Sequence, residues 1–144
     1  MKTQIVDRSA QSAQSAELLF ACLLDAPNWP KWSGHDSGAV DLRGNLATGV
    51  GEVRRFVKGK SISVERIIGA DAPTTFSYEL ISGLPVKNYR AVVTLIPRAE
   101  GGCMVNWHST FQGKLPLMGG LMRLALGKFI GAAAKGLAGY MPVA

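Results

Sequence analysis

A chain of 144 residues is the length of one domain, here read as residues 1–144, and can bury roughly 68–70% of the surface its unfolded form exposes. Its net charge of +6 arises from basic residues spread along the chain with no Lys/Arg run of five, so nucleic acid is not an expected partner and the charge is read as serving solubility. Cys22 and Cys103, like His35 and His108, are too scattered for a disulfide framework or a metal motif, and no cofactor is expected.

The opening MKTQIVDRSA has no apolar h-region, and no apolar run approaches the roughly 18 residues of a membrane span. A cytoplasmic protein without stable membrane insertion is therefore expected. Its oligomeric state is left open.

The first strand is predicted over Thr3 to Ser9. Gln11 to Gln14 then lead to Ser15, an N-cap residue type with Glu17 in the following turn, and a short apolar helix runs to about Asp25. Ala26-Pro27 stops it, and Asn28-Trp29-Pro30-Lys31-Trp32 reads as a second short helix or tight turn. A strand follows at about Ala39 to Arg43.

Between Gly49 and Gln112 five strands are predicted, separated by turn signals such as Lys58-Gly59-Lys60, Ala72-Pro73, Gly83-Leu84-Pro85 and Glu100-Gly101-Gly102. These connections are too short for parallel crossovers, so the sheet should be antiparallel. Side chains alternate between faces with a period of two. Glu52, Arg54 and Phe56 thus share a face, as do Phe76, Tyr78 and Leu80. Tyr89, Ala91, Val93 and Leu95 form a third such set, and Cys103, Val105, Trp107, Ser109 and Phe111 a fourth. His108 falls on the outer face.

The stretch from Lys60 to Gly69 admits two phases: one faces Ile62, Val64 and Ile68 inward with Arg66, the other Ser61, Ser63, Glu65 and Ile67. Periodicity alone would bury Ile62 and Val64.

From about Pro116 to Tyr140 the period becomes helical, with Met118, Met122, Ala125, Leu126, Phe129, Ala133, Leu137 and Tyr140 on one side and Lys128 and Lys135 on the other. Interior glycines cost about 0.5–1 kcal/mol each relative to alanine, so this glycine-rich helix requires tertiary packing. The Gly127-x-x-x-Gly131 spacing would permit a close approach. The predicted class is α+β: a curved antiparallel sheet of about seven strands around a long C-terminal helix, with two short helices after the first strand.

Asn28-Trp29-Pro30-Lys31-Trp32, Val50-Gly51-Glu52-Val53-Arg54, Val64-Glu65-Arg66, Phe76-Ser77-Tyr78, Leu84 to Tyr89 and Trp107 to Phe111 together resemble the START-like helix-grip superfamily. Within it, the chain looks like the polyketide cyclase/dehydrase and lipid-transport (SRPBCC) group. The Gly-x-x-Arg strand, the later Glu and the Asn-Tyr are similar to those of plant abscisic-acid receptors and the onion lachrymatory-factor synthase. That likeness implies that Arg54, Glu65 and Tyr89 point into a cavity, and it selects the phase with Glu65 inside and Ile62 and Val64 outside. By the same likeness, Lys58 to Lys60 and Gly83 to Val86 would border the mouth.

On this reading Arg54 and Glu65 are the polar anchor of the cavity. The Arg54 guanidinium offers a fork of donors to a ligand oxygen, with Glu65 beside it. Tyr78 and Tyr89 can donate hydrogen bonds. Trp29, Trp32, Phe56, Phe76, Val86, Trp107, Phe111, Met118, Met122 and Phe129 would form apolar wall.

Three functions follow. The first is binding of a hydrophobic small molecule of lipid, polyketide or isoprenoid type. The second is a metal-free cyclase, aromatase or dehydratase in which Arg54, Glu65 and Tyr89 are catalytic. The third is a membrane-surface or protein-interaction module using the C-terminal helix, since no acidic residue follows Glu100 while Lys114, Arg123, Lys128 and Lys135 do.

Overall fold

The computed structural model describes residues 2–142. Its strands are β1 (Thr3–Ser12), β2 (Ser37–Leu42), β3 (Val53–Lys58), β4 (Ser61–Asp71), β5 (Thr75–Ser82), β6 (Val86–Pro97) and β7 (Cys103–Gly113). They form one seven-stranded sheet in the order β1-β7-β6-β5-β4-β3-β2, with every neighbouring pair antiparallel. Between β1 and β2 lie α1 (Ala16–Leu24), a 3-10 turn (Ala26–Asn28) and α2 (Pro30–Ser33), and α3 (Met118–Gly139) ends the fold. This is the predicted helix-grip arrangement.

The alternation in sequence becomes a division of faces. On β7 every second residue from Cys103 to Phe111 is buried, and on β3 Arg54 and Phe56 are. In β4, Glu65 and Ile67 are buried whereas Ile62 is 45% exposed. The inward phase is therefore that of Glu65.

Two of the inward positions depend on a bulge. On β6 the register slips between Lys87 and Arg90, and Asn88 takes φ 56. One extra residue reverses the alternation, so Val86 and Tyr89 both face the core although an odd number of positions separates them.

The first helix begins where Ser15 Oγ accepts the Leu18 amide at 3.2 Å, satisfying one of the amides left unpaired at a helix start. At its other end no basic residue lies in the last turn. Arg54 reaches across from β3 instead, donating from Nη1 to Leu23 O at 2.6 Å, and Trp29 Nε1 donates to the same carbonyl at 3.0 Å. A cation at a helix C-terminus complements its dipole.

The face that α3 buries is rotated from the predicted one. Gly119, Leu126, Gly127, Ile130, Ala133, Ala134, Leu137 and Ala138 are buried, while Met118, Met122 and Phe129 are only partly so and Ala125 is exposed. Small residues allow the helix to lie close over β1: a Cβ at Gly127 would stand 2.4 Å from Arg8 Nη2, and one at Gly119 3.0 Å from Gln4 Nε2. The helix therefore tilts onto the β1–β7 side and leaves space over the middle of the sheet. At its far end Ser12 Oγ donates to Ala138 O at 2.6 Å.

The tightest crossing is with α2, where a Cβ on Gly136 would come 1.9 Å from Trp32 O. A main-chain atom cannot move aside as a side-chain tip can. Gly136→Ala is thus expected to destabilise the domain by about 1–3 kcal/mol through overpacking, despite alanine's higher helix propensity, as read by urea unfolding. A gain in stability would show that α3 is free to shift.

Candidate functional site

The space between α3 and the sheet is a cavity of about 200 Å³. The strands contribute Phe56 and Lys58 (β3), Ser61, Ser63 and Glu65 (β4), Tyr78 and Leu80 (β5), Tyr89 (β6) and Trp107 (β7). From α3 come Met122, Ala125, Leu126, Phe129, Ile130 and Ala133, and Trp29, His35 and Leu84 complete the wall. Lys58, Ser61 and Leu84 belong to the two hairpins expected at the mouth.

Three polar groups from neighbouring strands converge inside. The Tyr78 hydroxyl accepts a hydrogen bond from Trp107 Nε1 at 3.2 Å and lies 3.3 Å from the Tyr89 hydroxyl. The Glu65 carboxyl is buried, and its Oε1 makes no hydrogen bond. Burial pushes this carboxyl up to about 7, an effect the Arg54 charge opposes. Both phenols are also raised by burial, so they are neutral donors at physiological pH. The result is a largely apolar pocket in which a carboxyl oxygen without a protein partner stands with a pair of hydroxyls.

A further polar wall residue is His35. Its ring stacks on Phe56 (4.9 Å between centroids) and meets the edge of Phe129 (5.0 Å), while Nδ1 is 2.7 Å from Ser33 Oγ. Burial, reinforced by Lys58, lowers its pKa to about 4. It is therefore neutral at pH 7.

Arg54 and Glu65 are directly paired in the β3–β4 register, yet the expected joint anchor does not form. Arg54 is fully buried and does not line the cavity. Its guanidinium turns toward α1 and lies over Trp29 (4.6 Å), Phe56 (5.2 Å) and Phe76 (5.2 Å). Its nearest carboxylate is Glu52 at 4.0 Å. The physical reason is the Leu23 carbonyl, whose short charge-assisted hydrogen bond draws the side chain away from the ligand space.

Five further expected wall residues lie elsewhere. Phe76 meets Phe20 of α1 edge-on at 6.3 Å, and Phe111 stacks on Tyr89 at 6.0 Å. Trp32 packs against Trp29 at 4.7 Å, and its main chain is at the α3 crossing. Val86 is opposite Gly113 at the end of β7. Met118 belongs to the first turn of α3, where Gly113 and Gly119 abut. Of the five, Phe76, Val86 and Phe111 are on the inward face of their strands, but the tilt of α3 and the position of α1 fill the space beside them.

Of the expected residues, Trp29, Phe56, Glu65, Tyr78, Tyr89, Trp107, Met122 and Phe129 are brought together. Leu80 and His35 were not among them. Leu80 shares the alternation of Phe76 and Tyr78, so its signal was present. His35 follows the left-handed Gly34 turn, φ 88, and no periodicity marks it. On the outer face His108 Nδ1 is 2.8 Å from Asp7 Oδ2. Among the described residues there is no cluster of His, Cys, Asp or Glu able to hold a metal, and no helix long and apolar enough to cross a membrane.

Comparison with known folds agrees with this architecture. A START superfamily protein from Mycobacterium smegmatis superposes with TM-score 0.79 at 16% identity, covering 93% of this chain and 94% of that one. A solution structure from Thermobifida fusca gives 0.75 at 23% identity, with 93% and 90% covered. The protein XoxI from Bacillus cereus gives 0.74 at 16%, with 96% and 94% covered. No curated protein matches the chain significantly in sequence. At these identities the likeness is one of fold, but the family model for polyketide cyclase / dehydrase and lipid transport matches residues 3–142. The chain belongs to the polyketide cyclase/dehydrase and lipid transport family and has a START-like helix-grip fold.

Proposed function

We propose that this protein binds a small hydrophobic molecule carrying one oxygen function, of aromatic polyketide or isoprenoid size, in the cavity between α3 and the sheet. The observation that carries the reading is the apolar cavity in which the unsatisfied Glu65 carboxyl stands with the Tyr78 and Tyr89 hydroxyls. The apolar wall supplies affinity, and the few convergent polar groups orient the occupant. A buried acceptor without a partner costs about 1–3 kcal/mol, which a ligand hydroxyl at Glu65 would recover. A volume of about 200 Å³ is below the roughly 300–1,000 Å³ of drug-sized sites. That favours a one- or two-ring compound over a two-chain lipid.

Native mass spectrometry with single-ring phenols, monoterpenoid alcohols and a diacyl phospholipid is the test. One-to-one complexes with the first two and none with the third are expected. Preference for the phospholipid, or no complex at all, would overturn the reading.

A second reading, a cyclase or dehydratase, is favoured by one observation: a carboxyl held up to about 7 can give or take a proton near neutral pH. Glu65 would be the acid/base and Tyr89 a donor to the ligand oxygen. Arg54 has no place in it, because its guanidinium does not face the ligand space.

A further inference from the structure

The β7–α3 connection and the first turns of α3 leave large leucines uncovered. Leu115 is 61% exposed, Leu117 95%, Leu121 62% and Leu124 70%. At 100° per residue, Leu121, Leu124 and Lys128 fall within about 60° of one another on the outward side of the helix. Single exposed leucines are ordinary, but four within ten positions form a patch that calls for an explanation.

The charges of this segment have one sign: Lys114, Arg123 and Lys128 are interspersed with the leucines in sequence, and no acidic residue occurs after Glu100. At 100° per residue Lys128 shares the side of Leu121 and Leu124, whereas Arg123 lies about 100° or more away from them. On the neighbouring strand Lys58 holds its ammonium 4.9 Å from the Phe129 ring, adding a cation on the cavity side of α3. Apolar residues flanked by cations match the boundary of an anionic bilayer, where acyl chains take the leucines and headgroups the lysines. A protein partner would have to present a carboxylate-rimmed apolar groove of matching shape; a bilayer requires no such fit.

We infer that the Lys114–Lys128 segment docks peripherally on anionic lipid surfaces, with Leu115, Leu117, Leu121 and Leu124 entering the interface. Ala125, exposed and part of the cavity wall, lies between this face and the ligand space, so docking would bring the cavity mouth against the bilayer. The inference stands whatever occupies the cavity.

Sedimentation of the full chain with phosphatidylcholine vesicles containing 30% phosphatidylserine is the test. Binding is expected, roughly 30-fold weaker on pure phosphatidylcholine or after neutralising Lys114 and Lys128. The pair Leu121→Ser/Leu124→Ser should weaken it by a similar factor. Because both side chains are already largely in water, the urea midpoint of that variant should stay put, and Leu115→Ser/Leu117→Ser, outside the helix body, should weaken binding in the same direction. Absence of vesicle binding would overturn the inference, as would binding indifferent to all four leucines. A concentration-dependent dimer abolished by the serine variants, in a chain that ignores vesicles, would assign the patch to self-association instead.

Discussion

Truncating Arg54 to alanine is expected to cost about 3–5 kcal/mol of stability, whereas Arg54→Met should cost less than about 1.5 kcal/mol. The difference follows from what the side chain does. Alanine would leave a large hole among Trp29, Phe56 and Phe76, three of the most buried aromatics. Methionine fills most of it. The charge itself is nearly self-cancelling: desolvation is the largest influence on the guanidinium, opposing the pull of Glu65 and Glu52, and its Nε and Nη2 make no hydrogen bond. Against several kcal/mol of desolvation stand a charge-assisted hydrogen bond to Leu23 O, the α1 dipole and roughly 2 kcal/mol of cation–π attraction. Trp29 Nε1 still satisfies that carbonyl when the arginine is gone.

Urea titration of the two variants separates volume from charge. Equal, large losses would mean that the cation itself holds α1 on the sheet. The same pair also tests coupling to the site, because the Arg54 charge lowers the Glu65 pKa. In Arg54→Met the Glu65 carboxyl should titrate at still higher pH, a shift visible by carboxyl-labelled NMR.

Arg54 also shows where sequence reasoning stops. The alternation in β3 and β5 correctly gives the inner face to Arg54, Phe56, Phe76 and Tyr78, and the antiparallel order follows from the short turns. In β4 the period alone points the wrong way, and the likeness to other helix-grip proteins identifies Glu65 as inward. A face, however, is not a cavity. Whether an inward residue meets a ligand or another element depends on the tilt of α3, which is set by Gly119 and Gly127 lying against Gln4 and Arg8. No local pattern contains that long-range contact. The bulge at Asn88 is likewise invisible to a period-two count, although the Val86 and Tyr89 positions depend on it. His35 comes from a loop, where no period exists to be read.

Glu65→Gln should make the protein more stable than the parent at pH 8, by about 1–3 kcal/mol, and leave the two similar near pH 4.5. The folded carboxyl binds its proton up to about pH 7, against 4.5 when free. Between those values the native state holds more protons than the unfolded one, so this group's contribution to stability falls as pH rises through the window, at about 1.4 kcal/mol per pH unit. Glutamine resembles the protonated carboxyl and does not suffer the loss. His35 acts with the opposite sign. Its proton binds at about 4 in the folded chain and 6.5 outside it, so stability is lost as pH falls from 6.5 toward 4. In the parent the two slopes oppose each other between 4.5 and 6.5, giving a nearly flat profile; Glu65→Gln should expose the His35 slope, with stability rising steadily from pH 4 to 6.5. Urea midpoints measured across pH 4 to 8 decide the matter, and parallel profiles for parent and variant would show that Glu65 is ionised and solvated in the parent. Applied to function, the same substitution preserves the shape of the cavity and removes an acid/base. Retained ligand complexes in native mass spectrometry with loss of turnover would select the enzyme. If Glu65 only anchors a ligand hydroxyl, the amide oxygen of the substituted glutamine can still accept that hydrogen bond, and binding should change by less than about tenfold with no turnover to lose.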